Sequence, residues 1–308
     1  MNKVQDNIQI SVVLASYNGA LYIKEQIDSI LRQDYPFVEL LVFDDCSTDD
    51  TYNILLEYQH LDSRVKAYRN EKNLGFKKNF EQAIQKCSSP YVALCDQDDV
   101  WTDDHLSILV RNLNGKSLVC GNSLMVDSKG NSWNQTIRSI HQMSREYNNQ
   151  VTRSYFIYYN ISVYQGASML IKKDFLTKVL PIPENVQYHD SYFACIASLL
   201  DEMVDVADIV TYYRQHDANV TKGTFRHTNR FRILINHVRY NRPWLNSRLE
   251  ALHYIENNVS GLTRFQRRFI ADYKRYYRNM RSQFGRFLNC FFELMHFRAI
   301  FGLPTTKH

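Results

Sequence analysis

The chain has 308 residues, of which 44% are hydrophobic and 22% charged, the balance of an ordinary folded protein. This excludes disordered, collagen-like and small disulfide-scaffold classes, and 10 Gly with 6 Pro argue against long flexible linkers. The net charge of +5 hides an asymmetry: residues 222–308 hold 17 Lys/Arg against 4 Asp/Glu, whereas residues 1–221 hold 20 against 28. An acidic body with a basic tail suggests a tail that meets something anionic.

The six cysteines, Cys46, Cys87, Cys95, Cys120, Cys195 and Cys290, form no C-x-x-C pair and no zinc spacing, so a reducing cytosol is the expected compartment. Met1 to Gln9 is polar, without the apolar core of a signal peptide. No stretch reaches about 18 uninterrupted apolar residues, and Phe287 to Leu303 is broken by Asn289, Glu293, His296 and Arg298.

Ile10 to Ala15 is a β-branched apolar run, as in a buried parallel strand. Tyr17-Asn18-Gly19 turns the chain into a helical pattern over Ala20 to Arg32, with Leu21, Ile23, Ile27, Ile30 and Leu31 on one face. A second strand, Glu39 to Phe43, ends at Asp44-Asp45. Ser47 to Asp50 then caps a helix over Thr51 to His60. Val65 to Tyr68 is a short third strand, Leu74-Gly75 opens a helix through Lys86, and Tyr91 to Cys95 is a fourth strand followed by Asp96-Gln97-Asp98-Asp99. Four alternations with short connections predict a parallel α/β sheet with right-handed crossovers. Ligands of such sheets sit beyond the carboxyl ends of the strands, where Ser16–Gly19, Asp44–Ser47 and Asp96–Asp99 all fall. Farther on, Gly166 to Ile171 and Met203 to Tyr213 read as strands and His189 to Leu200 as a helix. Beyond Lys222 the pattern is mostly helical, with Arg and aromatics interleaved.

Three carboxylates in four residues at Asp96–Asp99 repel one another unless a cation joins them. Mg²⁺ or Mn²⁺, its shell completed by diphosphate oxygens, would remove that cost; the alternative is a solvated acidic turn. Asp44 or Asp45 could accept the ring N–H of uracil or thymine, or a ribose hydroxyl. Either could instead cap the next helix, although Ser47 and Thr48 already offer caps. The Tyr17 ring could flank a base or simply pack in its turn. Asp190, at a helix start where the dipole favours a carboxylate, could act as a general base or as a cap. His216 could add a metal ligand and Arg214 could meet phosphate, or both could be structural. Between Arg264 and Arg286, eight Lys/Arg and one acid, Asp272, interleave with Phe265, Phe269, Tyr273, Tyr276, Tyr277 and Phe284. That helical spacing reads as an interfacial membrane helix, a nucleic-acid contact, or a helix packed on the body with solvated Arg outside.

SVVLASYNG at 11–19, LLVFDDCSTDDT at 40–51, RNEKNLGFKKNF at 69–80 and YVALCDQDDVW at 91–101 together resemble glycosyltransferase family 2, the inverting GT-A enzymes. GASMLIKKDFL at 166–176, HDSYFACIASLL at 189–200 and YYRQHDANV at 212–220 extend the resemblance to about residue 221, and the DQDDVW, NLGFKKNF and YRQH variants look most like the rhamnosyltransferase-type branch of bacterial surface polysaccharide synthesis. The resemblance implies a Rossmann-like, mainly parallel sheet flanked by helices over residues 1–221, with a helical basic extension over 222–308. It puts Ala15, Tyr17, Asp45 and Asp96 on the nucleotide, Asp98, Asp96 and His216 on a Mg²⁺ or Mn²⁺ ion, and Asp190 in the role of catalytic base. It further implies a nucleotide-diphosphate sugar donor, with dTDP-rhamnose suggested by motif flavour, and a saccharide or polyprenyl-linked acceptor. The expected setting is the inner face of the cell membrane, with an anionic membrane surface as a partner and no nucleic acid. Cys46 replaces the more usual Gly of the Asp-Asp-Gly-Ser turn and disfavours φ > 0, so this turn is expected to differ. Two competing readings are a nucleic-acid or anionic-membrane binding protein using the basic tail, and a metal-dependent phosphotransferase using Asp96 as nucleophile. A Rossmann dehydrogenase is disfavoured, since no G-x-G-x-x-G follows the first strand.

Overall fold

The structure, a computed structural model, describes residues 8–141, 143, 149–159, 163–217, 219, 244–280 and 289. Their contacts group into two units. The first comprises residues up to 137, 164–182 and 203–219, and the second 138–163, 183–202 and 220 onward.

The first unit is built on a nine-stranded sheet. Strands β1 (Ile10–Ser16), β2 (Glu39–Asp44), β3 (Val65–Arg69) and β4 (Tyr91–Asp96) are mutually parallel in the order β3-β2-β1-β4. The connecting helices are α1 (Ile23–Leu31), α2 (Thr51–Leu61) and α3 (Phe76–Lys86). The alternation read from sequence is therefore correct, with every boundary within about three residues. Its physical basis is burial on both faces: Val12, Leu14, Leu40, Val42, Ala93 and Cys95 are buried on one face of the sheet, and Val13, Leu41, Val92 and Leu94 on the other, as the continuous apolar runs require.

The sheet then turns mixed. After β5 (Val100–Trp101) and α4 (His105–Asn112), β6 (Leu118–Val126) carries the short antiparallel β7 (Ser132–Thr136) on one side. β8 (Met169–Lys172) lies antiparallel between β4 and β6, while β9 (Met203–Arg214) runs parallel to β6 and antiparallel to β5. The strand expected over Gly166–Ile171 starts later, because Gly166–Ser168 form a 3₁₀ turn before β8. β6 and β9 approach closely at Gly121, where a Cβ would fall 2.3 Å from Val210 Cγ2, so only glycine fits.

At the opposite end of the sheet from the strand carboxyl termini, the buried Glu39 accepts from Ser11 Oγ at 2.8 Å, Ser88 N at 2.8 Å and Lys66 Nζ at 2.7 Å. Burial alone would raise its pKa, but these donors hold it down at about 2.

The second unit is helical: α5 (Ile137–Ile140) leads into it, followed by α6 (Gln150–Tyr159), α8 (His189–Leu199), α9 (Trp244–Asn258) and α10 (Arg264–Asn279); α7 (Lys173–Val179) belongs to the first unit. Thr263 and Gln266 form a reciprocal capping box at the start of α10. The aromatic stripe of α10 is core. Phe269, Tyr273 and Tyr276 are buried, and their rings meet Tyr158 and Tyr159 of α6 edge-to-face at 4.8–6.2 Å. These rings are therefore not available to a membrane interface. Arg264, Arg267, Arg268, Arg275 and Arg278 remain exposed. Phe284, Phe287 and Cys290 lie outside the described residues. The five described cysteines are free, and no described helix is long and apolar enough to cross a membrane.

Candidate functional site

The register of the parallel strands brings the polar loops together. Ser16 pairs with Asp44 across β1–β2, and Ala15 pairs with Asp96 across β1–β4. Asp44-Asp45 and Asp96 therefore flank the end of β1 on adjacent strands, roughly 5 Å away on either side.

The loop after β1 is clamped from three directions. Gln97, the middle residue of Asp96-x-Asp98, accepts from Tyr17 N at 2.8 Å through Oε1 and donates to Tyr17 O at 3.0 Å through Nε2. Asn18 N donates to Ser47 Oγ at 2.9 Å, and Gly19 N donates to Thr51 Oγ1 at 2.8 Å. A Cβ on Gly19 would sit 2.1 Å from Gln97 Oε1, so a larger residue here would push the Gln97 amide off its two Tyr17 hydrogen bonds. The Tyr17 side chain stays 45% exposed, which leaves an aromatic face open beside the strand ends.

The two aspartates after β2 do different work from that weighed in the sequence. Asp44 is buried, accepts from Ser47 N at 3.0 Å and from Ser47 Oγ, and pairs with Arg69 at 3.4 Å. It holds the 44–47 turn and does not cap α2, whose N-cap residue is Asp50 and has no side-chain cap hydrogen bond, so the capping weighed for Asp44, Ser47 and Thr48 is not what these residues do. Asp45, only 2% exposed, accepts from Asn70 Nδ2 at 2.8 Å, Leu74 N at 2.9 Å and Gly75 N at 2.8 Å. Its carboxylate fastens the NEKNLG segment against the end of β2. Between Asp45 and Ser47, Cys46 takes φ 65, so the left-handed turn forms with a side chain that disfavours it by about 1 kcal/mol or more.

At the end of β4, Asp96, Gln97 and Asp98 are partly exposed and Asp99 is buried. Asp98 Oδ2 lies 2.9 Å from His216 Nε2, so two residues 118 positions apart meet. The His216 ring packs on Tyr22 with centroids 4.7 Å apart. Asp99 Oδ1 accepts from Arg214 N at 3.0 Å, while its Oδ2 has no hydrogen-bond partner among the described residues. Burial, and then the neighbouring Asp98 and Asp96 carboxylates, push the Asp99 carboxyl well above the usual range.

Arg214 does not face a phosphate, one of the roles considered for it. Its side chain is buried, and it donates to Asp98 O at 2.9 Å, Ser128 O at 3.2 Å and Glu25 Oε2 at 2.5 Å. Sequence reasoning missed Gln97, Tyr22, Glu25 and Asn70, all of which act through contacts distant in the chain. Asp190 lies in the first turn of α8, in the second unit, partly exposed, with Ser191 N donating to its Oδ1 at 2.5 Å.

The donor chemistry suits a hard divalent cation. Asp98 and His216 offer a carboxylate oxygen and an imidazole nitrogen that converge, with Asp96 two residues away. No group of three or more candidate ligands occurs among the described residues.

The model for glycosyl transferase family 2 matches residues 11–180, more than half of the chain. The chain belongs to that family. A putative teichuronic acid biosynthesis glycosyltransferase, TuaG, of Bacillus subtilis is 38% identical over 97 residues, covering 32% of this chain and 38% of that protein. The UDP-Glc:alpha-D-GlcNAc-diphosphoundecaprenol beta-1,3-glucosyltransferase WfgD of Escherichia coli is 33% identical over 125 residues, 40% of this chain and 49% of that protein. The chain thus spans a third to a half of the length of these relatives. S. aureus TarS 1–349 in complex with UDP matches the structure with a TM-score of 0.59 at 19% identity, covering 88% of this chain and 72% of TarS 1–349. The mannosyltransferase PcManGT of Pyrobaculum calidifontis, solved with GDP-Man and Mn²⁺, matches with a TM-score of 0.51 at 16% identity, covering 92% and 87%. The fold is GT-A: a mixed sheet, parallel in its first half, with flanking helices.

Proposed function

We propose that this chain is an inverting, metal-dependent glycosyltransferase that moves a sugar from a nucleoside-diphosphate donor to a saccharide or lipid-linked saccharide acceptor. The observation that carries the reading is the meeting of Asp98 with His216 at 2.9 Å beyond the carboxyl end of β4, beside the ends of β1 and β2. Asp98 and His216 would hold Mg²⁺ or Mn²⁺, with Asp96 directed to the nucleotide or to metal-bound water. Bound there, the ion would neutralise the leaving nucleoside diphosphate. Tyr17 stacks on the base, Ala15 lies beneath it, and Asp45 holds the 70–75 segment that borders the nucleoside. Asp190 takes the proton of an acceptor hydroxyl, which displaces the diphosphate from the opposite face of the anomeric carbon and inverts it. No second catalytic carboxylate is required, in contrast to the acid–base pair of most glycosidases.

A thermal-shift panel of UDP, dTDP, GDP and their sugars, with and without Mn²⁺, tests the reading. A ligand at about 100 times its Kd stabilises the folded state by about 2.7 kcal/mol. One base is expected to raise Tm in a metal-dependent way, and the shift is expected to vanish in Asp98→Ala. No shift with any nucleotide in the folded protein would sink the reading. The finer choice of dTDP-rhamnose rests on the DQDDVW, NLGFKKNF and YRQH variants, and a larger shift with dTDP than with UDP would support it.

For the basic helices we propose attachment to an anionic membrane surface, driven by charge alone. A groove of about 610 Å³ is lined by α9 and α10, and Arg267, Lys274, Arg275 and Arg278 all reach it. With Lys274 paired to Glu256, Arg275 and Arg278 are the cations best placed for lipid phosphate. Co-sedimentation with phosphatidylglycerol vesicles at low salt is expected, falling steeply as salt rises and weakened in Arg275→Glu/Arg278→Glu. Failure to bind such vesicles at low salt would overturn the attachment.

A further inference from the structure

Arg214 is an arginine with its side chain out of solvent at the end of β9, two residues before His216 and in contact with both chain segments of the proposed metal site. Its guanidinium grips Asp98 from behind. Nε donates to the main-chain carbonyl of Asp98 at 2.9 Å, leaving that residue's carboxylate to face His216. Its own N–H holds the buried Asp99 Oδ1 at 3.0 Å. Nη1 reaches Ser128 O beyond β6, and Nη2 reaches the exposed Glu25 of α1. The guanidinium carbon stands 4.9 Å from the centre of the Tyr22 ring, and that same ring packs against His216 at 4.7 Å.

We infer that Arg214, set by Glu25 and Tyr22, is the positioning residue that keeps Asp98 and His216 in register with each other and with the loop after β1. The inference rests on the transferase reading of this site. Three features of the geometry support it. A planar fork can serve three acceptors in fixed directions, which a lysine ammonium on a flexible stem cannot. The Asp98 carbonyl belongs to the turn that aims the Asp98 carboxylate, so losing the Nε bond frees the carboxylate to rotate. Tyr22 and Glu25 follow directly on the Tyr17–Ala20 loop, so the clamp ties the nucleoside side of the site to its metal side. Removing such an outer partner typically costs about 10–100-fold in metal affinity.

The test is Mn²⁺ binding by the full chain, followed by the electron paramagnetic resonance signal of free Mn²⁺ with UDP, dTDP or GDP present. Arg214→Lys is expected to weaken Mn²⁺ binding about 10–100-fold and to alter the spectrum of the bound ion, with an unchanged far-UV circular dichroism spectrum. Glu25→Gln, at an exposed position, is expected to act in the same direction with a smaller loss. It decides the matter should Arg214→Lys fail to fold. Wild-type binding matched by both variants would overturn this inference alone. A wild-type chain that takes up no Mn²⁺ with any of the three nucleotides would overturn the transferase reading itself, and this inference with it.

Discussion

Asp190→Asn is expected to lower kcat by about 10²–10⁴-fold while leaving the metal-dependent nucleotide shift in place. The side chain sits in the first turn of α8, after the extended residue Tyr188. Ser191 N donates to its Oδ1 within that turn, which fixes the carboxylate's direction. Asparagine keeps the shape and the ability to accept a hydrogen bond, but it cannot take a proton. A general base acts in the transition state, so kcat and kcat/KM should fall together with donor KM nearly unchanged. The measurement is a steady-state assay with the donor identified by the thermal-shift panel, together with that panel repeated on the variant. Loss of nucleotide binding would instead make Asp190 part of the donor site. An unchanged kcat would remove it from the chemistry.

What could be read ahead of the structure was what depends on local pattern. The runs of β1, β2 and β4, short, β-branched or aromatic and bounded by turn residues, read as buried strands, whereas β3 (VKAYR) buries only Val65 and was legible mainly from its place in the alternation. Right-handed crossovers then had to deliver residues 16–19, 44–47 and 96–99 to one edge. What could not be read was where each carboxylate spends its lone pairs. Asp44 and Asp45 are adjacent and identical in type, yet one folds back on Ser47 while the other reaches Asn70 and the 74–75 turn. Nothing within a few residues distinguishes them. Gln97 and Arg214 were opaque for the same reason, since their partners lie 80 and 116 positions away. The stripe on α10 shows the complementary ambiguity: a helix with one aromatic and one basic side fits a membrane or a packed core equally well. It was the tyrosines of α6, in a stretch with no clear period, that made it core.

The second large effect concerns acid stability and a residue with no apparent signal in the sequence. His105 is fully buried at the start of α4. Its ring stacks on Trp101 at 3.8 Å and 8° between planes, and Nδ1 lies 2.9 Å from Val210 O. A carbonyl can only accept, so the neutral ring carries its proton on Nδ1. Nε2 then faces the interior with no partner among the described residues. Protonating it would bury a charge and an unmatched N–H together, and burial pushes the pKa down to about 3. The folded pKa thus lies below the unfolded value of about 6.5, so below that pH the unfolded chain takes up a proton that the folded chain refuses. Stability is complete above about pH 6.5 and is lost at about 1.4 kcal/mol per pH unit below it, approaching 5 kcal/mol near pH 3. His105→Phe should keep the stacking without the titration. It strands no acceptor, because Val210 O also receives Thr102 N at 3.0 Å. His141, in the second unit and likewise held down by burial to about 4, titrates in both proteins and cancels in the comparison. Urea unfolding at pH 7, 6, 5 and 4 should therefore show a shallower loss of stability for His105→Phe, by about 1.4 kcal/mol per unit. Parallel curves for the two proteins would mean that the buried imidazole accepts its proton in the folded state, and that the acid limb belongs to other groups.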